Sequence, residues 1–268
     1  MLEIILLLNV VFIFGACLGS FIGVIVDRLY REEQFVSGGS YCEKCKIPLK
    51  WNDMIPILSF LILRGKCRYC KIHLPAFLPL IELSTGFLFA VIFYISFVNL
   101  NDHLILTSVA FYKFIYLIIL FAILEIIFFM DAKYMVIPMI PLYLAAGLYL
   151  LYGTFTHSLF INWEHSLYGG VVMAGFFAAV HYLSKGRMMG DGDIYLAAFL
   201  GLVLGLDLAI VMWLLAFVLG ALYGIYLIAS KGATLKQQVP FGPFLLLGFV
   251  LSYSIGPILL NFYYTFLI

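Results

Sequence analysis

The stretch Phe114–Met130, FIYLIILFAILEIIFFM, followed at once by Asp131, decides how this chain is to be read. Only Glu125 interrupts the apolar run. A segment of this kind is long enough to enter a hydrocarbon layer, which takes about 20 apolar residues to cross. An ionisable group at its end is costly there and marks a functional position by default. A second aspartate, Asp193, sits in Gly190-Asp191-Gly192-Asp193, just before another apolar run. Two carboxylates placed this way point to chemistry on a substrate at a membrane.

The composition agrees. The chain has 268 residues, 65% hydrophobic and 11% charged, against about half apolar in a soluble domain. It is expected to be an all-α, polytopic bundle with a small cytosolic loop domain. Eight spans are expected, at 2–26, 77–98, 105–130, 136–153, 166–183, 194–206, 208–230 and 244–262. The sixth is short, which fits a half-buried or tilted element, or one arm of a hairpin with the seventh. The first lacks the basic start and small-residue cleavage site of a signal peptide and reads as a retained helix. The domain plan is therefore a first helix over 1–26, a loop domain over 27–76 and a membrane core over 77–268.

Sidedness follows from the basic residues, which favour cytoplasmic loops. Nine of the fifteen Lys and Arg lie between Arg28 and Lys71. With the N-terminus outside, the loops carrying Lys133, Lys185 and Arg187, and Lys231 and Lys236 are also inside, leaving only Lys113 out. Asp131 and Asp193 then both fall at the cytosolic face of a cytoplasmic (inner) membrane. The outer loops 99–104 and 154–165 hold solvated polar residues, among them His103, His157 and His165.

Within the basic loop, Cys42, Cys45, Cys67 and Cys70 form two C-x2-C pairs. Two such pairs are a strong metal signature. Zinc accepts four thiolates in a closed, structural tetrahedron, and disulfides are disfavoured in the cytosol. A loop of this size has too little core to hold itself without a staple. His73 is a minor alternative ligand. Met54–Leu63 is apolar but too short to span, so it packs on the knuckle or lies at the interface. Cys17 is expected to be a buried small apolar residue.

Aspartic hydrolysis needs two carboxylates sharing a proton, one acting as base on water and the other polarising the carbonyl. Gly190 and Gly192 allow close backbone approach. Ile137-Pro138 marks the entry of the next helix. The competing explanation is that the aspartates are helix caps. Asp191 and Asp193 are not separable on these grounds.

Taken in order, the motifs resemble those of the type 4 prepilin peptidases, membrane aspartic peptidases of the GxGD type. They are Gly19-Ser20-Phe21-Ile22 with Asp27-Arg28-Leu29, the paired cysteines with Ile55-Pro56-Ile57-Leu58-Ser59 and Arg64 to Cys70, and Pro79-Leu80-Ile81-Glu82-Leu83. Asp131 with Ile137-Pro138, Gly190 to Asp193 with Leu196-Ala197-Ala198, and Pro240-Phe241-Gly242-Pro243-Phe244 complete the set. The resemblance implies a catalytic pair at Asp131 and Asp193, with Asp191 a variable position. It implies cleavage of the basic leader of prepilins or pseudopilins, whose helix is the partner within the bilayer, and no nucleic acid. It also implies N-methylation from S-adenosylmethionine, and Glu82 could serve that step. Gly23, Tyr195 and Met139 depart from the usual Asn, Lys and Asp. The substrate helix would dock between spans at small residues such as Gly169, Gly170, Ala174 and Gly175, unless those serve internal packing. No glycine-rich fingerprint locates the methyl donor. Rival readings are a peptidase without methyl transfer, a carboxylate-lined transporter and a zinc-stapled scaffold.

Overall fold

The computed structural model describes residues 2–34, 39–98, 103–104, 106–156, 163–187, 189–231 and 238–267. His157, Lys236 and most of the loop 99–104 lie outside the described residues. Among those described the chain is helical, with only isolated β-bridges. The helices are α1 (Leu2–Tyr30), α2 (Leu58–Ile62), α3 (Phe77–Phe97), α4 (Ser108–Tyr134), α5 (Met139–Phe155), α6 (Trp163–Leu183), α7 (Asp191–Leu204), α8 (Leu206–Lys231) and α9 (Gly242–Leu267). Each of the eight expected spans therefore forms a helix. Six of them are long and apolar enough to cross a membrane. The other two, α5 and α7, have 17 and 14 residues. Gly205, at φ 76, is the single residue between α7 and α8. A glycine in that conformation is a common way to end a helix.

The chain forms two compact units, one through Ile126 and one from Ile127 onward. In the first unit, α1 and α3 meet along a seam of small residues. A Cβ on Gly19 would lie 2.7 Å from Thr85 Oγ1, and one on Gly15 would lie 2.9 Å from the Thr85 carbonyl. From the other side, a Cβ on Gly86 would lie 2.9 Å from the Phe12 carbonyl. Gly15 and Gly19 are spaced four apart, the small-residue spacing that lets membrane helices approach backbone to backbone. Glu125 on α4 stands beside the hydroxyls of Thr85 and Ser84 on α3, which donate to the Ile81 carbonyl, and its Oε2 is buried with no hydrogen-bond partner. Cys17 is exposed on α1 and not buried as expected. In a helix bundle without an aqueous core, a small apolar side chain is equally at home facing outward.

In the second unit the same device joins α6 to α7. A Cβ on Gly201 would lie 2.6 Å from the Gly169 carbonyl, and one on Gly170 would lie 3.2 Å from the Ala198 carbonyl. Gly169 and Gly170 thus serve internal packing, whereas Gly175 has nothing within 4 Å of a Cβ. Gly248 brings α9 equally close to α8, at 2.6 Å from the Met212 carbonyl. In the same unit, Phe177, Phe217 and Phe241 pack as a cluster, with the Phe241 centroid 5.9 and 5.0 Å from the other two. That cluster pins the residue immediately before α9.

Gly201→Val should force α6 and α7 apart, since overpacking a filled contact costs about 1–3 kcal/mol. Gly175→Ala should not. Thermal unfolding in detergent checks this, and equal melting temperatures for the two variants would contradict the close crossing.

Candidate active site

Asp131 lies in the last turn of α4, and Asp193 is the third residue of α7. Both are buried, at 5% and 7% exposure. Asp191, two residues earlier, is exposed and accepts the Gly192 N–H at 3.0 Å. Each buried carboxylate is held by a backbone amide. The Gly242 N–H, at the start of α9, donates to Asp131 Oδ2 at 2.9 Å. The Gly190 N–H, at the cap of α7, donates to Asp193 Oδ2 at 3.2 Å. Helix N-termini carry free N–H groups and a positive dipole end, so they suit a carboxylate. Oδ1 of Asp193 is buried and has no hydrogen-bond partner. The two acids are close enough to interact electrostatically.

Glycine is required at this site for space. A Cβ on Gly242 would lie 2.6 Å from Asp131 Oδ2, and one on Gly192 would lie 2.8 Å from Ile137 Cβ. Pro138 marks the entry of α5, as expected, and takes the cap position in extended conformation (φ −75, ψ 121). Ile137 is thereby turned onto Gly192, which ties the α4–α5 connection to the start of α7. The sequence pointed to Asp131, Asp193, Gly190 and Gly192. It gave no role to Gly242, although a glycine beside a proline at a helix start was a usable signal.

In the first unit, the sulfurs of Cys42, Cys45, Cys67 and Cys70 all lie within 4.8 Å of one another. Cys42 and Cys70 are 3.8 Å apart, the edge of a tetrahedron with metal–sulfur bonds of about 2.3 Å. The four cysteines could hold a metal ion. The two halves of the site share one local fold. In each, the first cysteine donates its N–H five residues ahead, Cys42 to Ile47 and Cys67 to Ile72, at 3.0 and 2.9 Å. In each, the lysine after the second cysteine has positive φ, 58 at Lys46 and 57 at Lys71. The repeated Cys-x2-Cys-Lys-Ile was visible in the sequence and was missed. His73 occupies the place that Pro48 has in the other half, pairing with Lys66, and stands outside the sulfur cluster. The Cys42 thiol is pushed down to about 7, chiefly by the Cys45 amide, against the opposing effect of burial. Against the Ile47 amide, burial and the Cys42 and Cys70 sulfurs push the Cys45 thiol up to about 11, so the cluster gives up one proton readily and the others only to a cation that offsets the charge.

Two further acids brace this loop. Asp53 accepts hydrogen bonds from Arg68 and Tyr69 beside the second cysteine pair. Burial tends to raise its pKa, but those bonds, with the Lys50 amide, hold it below the usual carboxylate range. Glu82 accepts the Ile57 N–H at 2.6 Å and also bonds Ser20 of α1. Ile57 has φ 63, a strained conformation for a β-branched residue, and the Glu82 bond fixes the turn there. Leu58, Leu61 and Ile62 of α2 stay exposed, while Phe60 of the same helix rests on Gly65.

These features define a polytopic α-helical membrane protein with a buried pair of acids in one unit and a four-thiol loop in the other. Comparison with known proteins makes the definition narrower. Residues 13–96 match the bacterial peptidase A24 N-terminal domain, and residues 118–225 match the type IV leader peptidase family. The chain is 30% identical to the prepilin leader peptidase/N-methyltransferase of Bacillus subtilis (strain 168), over 96% of this chain and 98% of that protein. It is 28% identical to the protein of the same name from Aeromonas hydrophila, over 96% and 93%. It is 28% identical to that from Vibrio cholerae, over 88% and 92%. No solved structure matches. The chain belongs to the type IV leader peptidase family.

Asp53→Ala should loosen the cysteine loop by removing the acceptor of Arg68 and Tyr69, a loss of about 1 kcal/mol because water reaches the exposed Arg68. Hydrogen exchange over residues 40–74 is the measurement, and unchanged protection there would show the brace to be dispensable.

Proposed function

We propose that this chain removes the basic leader from type 4 prepilins or pseudopilins and methylates the new N-terminal residue. The reaction takes place at the cytosolic face of the cytoplasmic membrane. The observation that carries this reading is that Asp131 and Asp193 are both buried beside glycine amides, while Asp191 is exposed. We assign Asp131 and Asp193 as the catalytic pair. Two carboxylates in one site cannot both ionise cheaply, so they share a proton. The ionised member takes a proton from the attacking water. The protonated member polarises the scissile carbonyl and later protonates the leaving amine. The pair titrates as a unit, so these roles belong to the pair. The Gly190 and Gly242 amides orient one oxygen of each acid and leave the other for the substrate and water.

The substrate chemistry fits such a site. A prepilin leader is basic and stays in the cytosol, while the helix after it enters the bilayer, so its scissile bond lies at the boundary. The concentration of Lys and Arg in residues 28–71 supports an N-terminus outside, with the 27–76 loop and both aspartates inside. On this plan 1–26 is the first helix, 27–76 is the methyl-transfer region and 77–268 is the peptidase core. Cys42, Cys45, Cys67 and Cys70 hold a structural zinc ion, since four thiolates leave no open position for catalysis. S-adenosylmethionine supplies the methyl group. A transporter would need acids near the bilayer midplane, and both aspartates here sit at helix ends.

Asp131→Asn and Asp193→Asn should each lower prepilin cleavage by about a thousandfold or more, as loss of one member of a catalytic unit does. Asp191→Asn should remain within a few-fold of the unaltered enzyme. Processing by purified variants of equal stability decides it, and full activity in either of the first two sinks the assignment. Cys67→Ser should abolish stoichiometric zinc binding and reduce methyl transfer more than cleavage. Full zinc content in that variant, measured by metal analysis, would contradict the ligand set.

A further inference from the structure

One peptide group in the α6–α7 loop has both of its polar ends engaged. The carbonyl of Met189 lies 2.9 Å from Nδ1 of His181, near the end of α6. The N–H of the same peptide group, on Gly190, donates to Asp193 Oδ2. A carbonyl only accepts, so Nδ1 of His181 carries a proton and donates. A hydrogen bond received at the carbonyl polarises the peptide group and strengthens its N–H as a donor. Among the described residues, the Gly190 N–H is the one hydrogen bond Asp193 receives, because Oδ1 has no partner. The orientation of this acid therefore depends on how firmly the Met189–Gly190 peptide is held.

The imidazole is itself well placed to hold it. The His181 carbonyl accepts the Gly186 N–H at 2.8 Å, and Gly186 has φ 70. That turn folds the loop back over the ring, where a Cβ on Gly186 would lie 3.4 Å from His181 Cε1. Tyr182 meets the ring edge-on at 5.2 Å. Met189 itself is buried, at 9% exposure, which anchors the peptide group on its other side.

We propose that His181 is a positioning residue for the peptidase reaction, acting on Asp193 through the Met189–Gly190 peptide group. This rests on the assignment of Asp193 to the catalytic pair. His181 does not touch the substrate. It fixes the direction of the Gly190 N–H and so the rotamer of the carboxylate. A misplacement of about 1 Å in a reacting group can cost a hundredfold in rate, so a partly compensated loss of this tether should cost about tenfold in kcat.

The test uses the full-length enzyme in detergent, with a prepilin as substrate. His181→Leu removes the donor, and His181→Asn keeps an N–H near the place of Nδ1. The expected result is a kcat about tenfold lower for His181→Leu, with KM and melting temperature unchanged. His181→Asn should return kcat to within a few-fold of the unaltered enzyme. Unchanged kcat in His181→Leu overturns the proposal, as does a loss confined to KM or to melting temperature. A His181→Asn enzyme as slow as His181→Leu also overturns it. Asp193→Asn, run alongside, separates the two levels. If it is inactive while both His181 variants are fully active, the catalytic pair stands and the tether falls. If it is fully active, both fall.

Discussion

A carboxylate enclosed in apolar surroundings persists only where the protein supplies the hydrogen bonds that water would have made. That constraint organises both units. Asp131 takes its bond from the Gly242 amide, Asp193 from the Gly190 amide and Glu82 from the Ile57 amide. In each case the donor is a backbone N–H at a helix start or a turn, where the chain has amides not used by its own helix. Glu125 is the exception: it stands beside the Thr85 and Ser84 hydroxyls, but its Oε2 is buried with no hydrogen-bond partner. The other three acids are thus found where a helix start or a turn can meet them.

The second organising feature is the use of glycine to let backbones approach. In the first unit it joins α1 to α3 through Gly15, Gly19 and Gly86, and in the second it joins α6 to α7 through Gly169 and Gly201. Without a hydrophobic driving force between helices in lipid, close packing itself holds them together. The same property reappears beside the acids. Gly242 and Gly192 are small because Asp131 and Ile137 occupy the space a side chain would need. Packing and chemistry therefore use one residue type for one reason, the lack of a Cβ.

Much of the site was legible because its residues are out of character with their surroundings. Asp131 ends an apolar run, Gly190 to Asp193 opens another, and four cysteines stand in two pairs. The repeated Cys-x2-Cys-Lys-Ile, with its paired left-handed lysines, was equally visible and carried the local fold of the loop. Other features were not legible. His181 carries no signal in the sequence, because nothing in its neighbours names the Met189 carbonyl as a partner. Gly175 and Gly170 look alike in sequence, yet one faces open space and the other packs on α7. Cys17 looked buried on its chemistry and lies exposed on α1.

The sequence by itself determined the class of fold, the places of its long apolar helices and the residue types available for chemistry. Hydropathy over some twenty residues is a local property that bilayer thickness reads directly. The spacing of the cysteines sets a metal-sized cluster in the same local way. Only the tertiary structure decided which amide meets which acid. The bond between Asp131 and Gly242 joins residues 111 positions apart. Such a partnership follows from how helices cross, and crossing depends on surface shape summed along whole helices, which no short run of residues encodes.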